Sequence, residues 1–102
     1  MIFNNSSNRI KVVGFILTDI VSVSPFAIEF DIAVSRKAKR GEESVNDIFR
    51  VYSNENSIIS FARSHLKKGT VVCVKGELRT FGEEKKTVKI CSSDIAISSS
   101  AK

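Results

Sequence analysis

Phe26-Ala27-Ile28-Glu29-Phe30-Asp31-Ile32-Ala33-Val34-Ser35 sets the class of this chain. Phe26, Ile28, Phe30, Ile32 and Val34 alternate with small or charged residues, the period-two mark of a half-buried β-strand. That register makes Phe26 and Phe30 core residues. Upstream, Arg9 to Thr18 is rich in β-branched and apolar residues, with Gly14 in its middle. A glycine inside a strand marks a bulge or a sharp bend. Val21 to Pro25 reads as the turn joining these two strands. Downstream, Arg36 to Asn46 loses all apolar period and reads as an exposed loop tip.

A third strand follows, with Ile48, Arg50 and Tyr52 on one face and Phe49 and Val51 on the other. The next segment predicts a helix. Ser53-Asn54 supply a cap, Ile58, Ile59, Ala62 and Leu66 form an apolar stripe, Lys67 and Lys68 suit a C-terminal end, and Gly69 stops it. Val72, Val74, Gly76 and Leu78 mark a fourth strand. Val88, Ile90, Ile95 and Ile97 mark a fifth, with Phe81 to Lys86 as the loop between. Five strands with one helix between the third and fourth is the order of the OB-fold, an all-β closed barrel. The expected domain covers residues 1–97, and residues 98–102 read as a disordered tail.

The chain has 102 residues, one domain's length, and 42% of them are hydrophobic. A core this small buries a modest share of the surface, so oligomerisation would help. Lys and Arg number 16 against 11 Asp and Glu, a formal charge of +5 that favours a polyanionic partner. Cys73 and Cys91 fall in apolar, strand-like stretches and read as buried reduced thiols, with a cross-strand disulfide as the alternative. The N-terminus carries no signal-like segment, and no window approaches the roughly 20 apolar residues of a membrane helix. The expectation is a cytoplasmic protein with no membrane contact.

Nothing in the sequence points to catalysis or to a cofactor. His65 has no paired base, nucleophile or ligand set, and Cys73 and Cys91 lack zinc spacing. No glycine-rich phosphate loop precedes a helix, and Glu42-Glu43 and Glu83-Glu84 sit among lysines and arginines as solvated charge.

Asp47-Ile48-Phe49-Arg50-Val51, the helix, and Leu66-Lys67-Lys68-Gly69-Thr70-Val71-Val72-Cys73-Val74-Lys75-Gly76-Glu77-Leu78-Arg79-Thr80 together resemble the bacterial single-stranded DNA-binding protein family. Asn8-Arg9-Ile10-Lys11-Val12-Val13-Gly14 resembles that family's opening strand, and the matches run from Asn8 to Ile97. The spacing from Lys68-Gly69 to Gly76-Glu77-Leu78-Arg79-Thr80 is the specific part. The resemblance implies an OB-fold, binding of single-stranded DNA without catalysis, and assembly into dimers or tetramers. It departs from the pattern in its aromatics: Ile48, Ser53, Asn54 and Ala38 stand where the family has aromatic residues, and the chain has no Trp. The family's acidic C-terminal tail, which recruits replication partners, has no counterpart in Ser98 to Lys102. An extra residue sits between Val51 and the helix. The shorter, tailless primosomal replication protein B is the nearest variant, with replication-restart partners. A third reading is an OB-fold interaction module that has lost DNA binding.

Nucleic acid needs cations for its phosphates and flat surfaces for its bases. The candidate cations are Arg36, Lys37, Lys39 and Arg40 in the loop, Arg50 and Arg79 in strands at positions matching the family's basic residues, and Lys68 at the helix end. Lys85, Lys86 and Lys89 extend the basic surface. The bland reading of the loop charges is a solvated tip beside Glu42 and Glu43. Phe81 lies near the family's last stacking tryptophan, as a stacking platform or an oligomer contact. Tyr52 either stacks or covers the edge of the core.

Overall fold

The computed structural model describes residues 7–36 and 39–98. Lys37 and Ala38 of the basic loop, and the chain beyond Ser98, lie outside the described residues. The elements run β1 (Ile10–Ile16), β2 (Val21–Ser24), β3 (Ala27–Arg36), β4 (Val45–Ser53), α1 (Asn56–His65), β5 (Val71–Phe81) and β6 (Thr87–Ile97). They make one sheet of order β1-β5-β6-β4-β3-β2. A further pairing of β1 with β3 closes five of the strands into a barrel and leaves β2 as an outer edge strand. Every described pairing is antiparallel except β4 with β6, which run parallel at Val51–Ile90 and Tyr52–Cys91. This is the OB-fold expected from the sequence, with α1 between the third and fourth barrel strands.

Closure depends on the corner in β1. Ile10 to Phe15 pair with β5, while Phe15 and Ile16 also pair with β3. At Gly14 a side chain would run into the Ala33 carbonyl, so only a glycine lets the two backbones approach. Gly76, paired with Ser92 at the register shift between β5 and β6, has the same role against the Cys91 carbonyl. The core fills the interior with Ile28, Phe30, Ile32, Val51, Val74 and Ile90, and α1 plugs one end with Ile58 and Ala62, followed by Leu66. Both cysteines are free thiols and only half-buried.

Three local expectations are corrected. Val21 to Ser24 is a strand rather than a turn: Val21 pairs with Glu29 and Ser22 with Ile28, and the turn is confined to Pro25-Phe26. Phe26 therefore sits on the turn, 73% exposed, and is not core; its place in the alternation is a coincidence of the residue before Ala27. The helix begins later than the Ser53-Asn54 cap implied. Glu55 is its N-cap and makes no side-chain cap bond, while the Ser53 hydroxyl accepts from the Glu55 N–H at 3.2 Å just before the helix. At the other end the helix closes at His65 and Leu66 turns extended. Gly69, at φ +89°, belongs to the turn that donates to the Ile16 carbonyl at 2.8 Å. No helix among the described residues is long and apolar enough to cross a membrane.

Candidate nucleic-acid interface

Strand alternation sends Phe30, Val51 and Ile90 inward, so Glu29, Asp31, Arg50, Tyr52, Lys89 and Cys91 share the outer face of β3, β4 and β6. Glu29 is the pivot. Only 8% exposed, it accepts from Arg50 at 2.9 Å and from Lys89 at 2.5 Å. Burial pushes its carboxyl pKa up, but those two hydrogen bonds outweigh burial and hold it below the ordinary value. Arg50 also donates to Asp31 through both Nε and Nη2. Its hydrogen bonds to Asp31 and then Glu29 raise its own pKa.

Lys89 joins this charge network to an aromatic pair. Its ammonium stands 4.7 Å from the Phe81 ring centroid and 5.9 Å from that of Tyr52, within cation–π range. The two rings lie 5.6 Å apart, tilted at 52°. Tyr52 and Phe81 form one wall of a groove of about 760 Å³. Ser53, Asn54 and Cys91 to Ser93 also line it, as do Arg9 and Lys11 around the start of β1 and Lys75 and Arg79, which share one face of β5 with Phe81. The carboxylates in the lining are Glu55 and Glu77, and Glu77 is held by Arg79 at 2.8 Å. Burial raises the Cys91 thiol pKa, which Arg79 partly offsets.

The residues singled out from sequence fall into separate places. Tyr52, Phe81 and Arg79 meet at the groove. Arg50 lies on the same outer face beside the groove, held by two carboxylates. Arg36 is bound to Asp47 across the β3–β4 pair, and its pKa rises through that bond. Lys39 and Arg40 are exposed in the loop and make no ion pair among the described residues. Lys37 is outside those residues. Lys68 lies 3.8 Å from Asp19 beyond the end of α1. Lys85 occupies the β5–β6 turn at φ 57°, and beside it Lys86 pairs with Glu84 at 2.8 Å. Ile48, where the resembled family has tryptophan, is 51% exposed on the outer face.

Sequence reasoning missed Asn8, Arg9, Lys11 and Lys75 as groove residues, and Glu29 as the organiser of the cations. Arg9 and Lys11 alternate with Ile10 and Val12, a legible signal that they share the face away from the core. The register Lys11↔Lys75 is a pairing between distant strands, which no local pattern contains.

No protein-family model matches the chain, and no curated protein sequence does. Solved structures do. A small single-stranded DNA-binding protein from Streptomyces coelicolor superposes with a TM-score of 0.70 at 23% identity, over 89% of this chain and 92% of that one. The Plasmodium falciparum SSB in complex with ssDNA gives 0.75 at 22% identity, over 95% and 99%. A mitochondrial single-stranded DNA-binding protein from S. cerevisiae gives 0.68 at 17%, over 87% and 91%. At these identities the likeness establishes the shared fold. It adds nothing in favour of the primosomal variant.

Proposed function

We propose that this protein binds single-stranded DNA without sequence preference and without catalysis, in replication, recombination or repair. The observation that carries the reading is the Tyr52–Phe81 wall facing a cation-lined groove on an OB barrel. Every base has a π-face, so an aromatic wall accepts any sequence, while a positive groove tracks the backbone. The structures that share the fold include proteins named for single-stranded DNA binding, one of them in complex with it, which supports the same reading. Assembly into a homo-oligomer belongs to the proposal. Phe26, Val88 and Val21 are large apolar side chains left open on the surface, and a second copy would cover such positions.

The interaction-module reading has one observation in its favour: Arg36, Arg50 and Arg79 are each neutralised within the chain. Fluorescence anisotropy with oligo-dT and with duplex DNA, at low and moderate salt, separates the two. DNA binding predicts a clear preference for oligo-dT that weakens with salt and with Phe81→Ala. No binding to either DNA would assign the barrel to protein contacts.

A further inference from the structure

Lys11 and Lys75 stand directly opposite each other in the β1–β5 ladder, both exposed and both on the groove side. Like charges in that position repel. Neither makes an ion pair among the described residues, although Lys75 has Asp94 as its partner across the β5–β6 ladder. Arg9 extends the row and is likewise without an ion pair there. This end of β1 is fixed rather than frayed. The Asn8 side chain accepts from the Leu78 N–H at 2.9 Å and donates to its carbonyl at 2.7 Å. One amide thus continues the ladder past its last backbone pair, Ile10↔Gly76. The barrel spends order to hold a strip of mutually repelling cations in place.

We propose that Arg9, Lys11 and Lys75 form a phosphate-binding strip for the backbone of a single strand whose bases face the Tyr52–Phe81 wall. The inference rests on the single-strand reading above and adds where the phosphates lie. Anionic oxygens between Lys11 and Lys75 convert the repulsion into attraction, and binding releases the counterions those lysines hold in the free protein. Glu77, bound to Arg79, and Glu55 are the carboxylates lining the groove, so a strand passing there meets a net positive side. A second copy of this chain suits the strip poorly. A two-fold contact there would set the same cations against themselves.

The test compares wild type with Lys11→Gln/Lys75→Gln in oligo-dT titrations over a range of salt. Each lost phosphate contact removes about 0.7 from the slope of log affinity against log salt for a single strand. The double variant should lose about 1.4 in slope and bind about tenfold or more weakly at low salt. Lys11→Arg/Lys75→Arg should restore both. The free double variant should melt close to wild type, because losing the Lys11–Lys75 repulsion offsets losing the Lys75–Asp94 pairing across β5 and β6. An unchanged slope in a variant that still binds overturns the strip while leaving the single-strand reading intact. The same holds if the mutation alters only the mass seen by light scattering, which would make the strip a contact between copies. Failure of wild type itself to bind oligo-dT sinks the single-strand reading and takes the strip with it.

Discussion

Glu29 shows how one carboxylate decides what two cations are free to do. It holds Lys89 over the Phe81 ring and Arg50 against β3, so both charges serve the barrel wall in the free protein. Replacing Glu29 with Gln strips Lys89 of its carboxylate partner and leaves Arg50 with Asp31 alone. The expected loss is about 1–3 kcal/mol, less than for a fully buried pair because Arg50 is half exposed. Chemical denaturation measures it. The pH dependence has a definite sign. Glu29 has a pKa below its reference of 4.5 when folded, so its contribution is full above that reference and is lost as pH falls through the folded value. Melting temperature should therefore drop more steeply below pH 4.5 in wild type than in Glu29→Gln. Phe81→Ala belongs to this scale too. Removing one stacking surface should weaken oligo-dT binding by about 1–3 kcal/mol, read by anisotropy, with little change in the salt slope.

At the scale of the element, the glycines in β1 and β5 matter more than any one apolar contact. A methyl at Gly76 would meet the backbone of Cys91 and Ser92, which cannot move aside as a side chain does. Gly76→Ala should cost at least about 2 kcal/mol through a broken β5–β6 register, measured by denaturant unfolding. Gly41, with open space around it, is the control, where only the positive φ opposes a side chain. This scale also separates what the sequence discloses from what it hides. The alternation in β3 and β4 and the apolar stripe of α1 are local signals, and they place strands, helix and barrel correctly. The same alternation misplaces Phe26, because period alone does not mark where Pro25 turns the chain. Val21 to Ser24 is too short and too open to read as a strand before its partner Ile28–Glu29 is known.

For the molecule as a whole, the charge of +5 is not spread as the basic loop suggests. Several candidate cations are consumed by neighbouring carboxylates, and the groove gathers others from β1 and β5 that lie far apart in the chain. Tyr52 was legible as a site residue from its alternating strand, and Arg79 from its match to the resembled family's basic positions. The strip of Arg9, Lys11 and Lys75 was not, because it exists only once β1 pairs with β5 and sets Lys11 opposite Lys75. Asn8→Ala should loosen the end of β1 and raise amide exchange at Leu78 while sparing the core. Exchange measured by mass spectrometry or NMR checks this.

Amide chemical-shift mapping on the labelled protein, titrated with oligo-dT, tests the central claim most directly. The account predicts that the shifts converge on the groove, at Lys11, Tyr52, Lys75 and Phe81, with weaker changes at Lys39 and Arg40. Shifts confined to the β2–β3 hairpin around Phe26, or no shifts at saturating oligonucleotide, would contradict it.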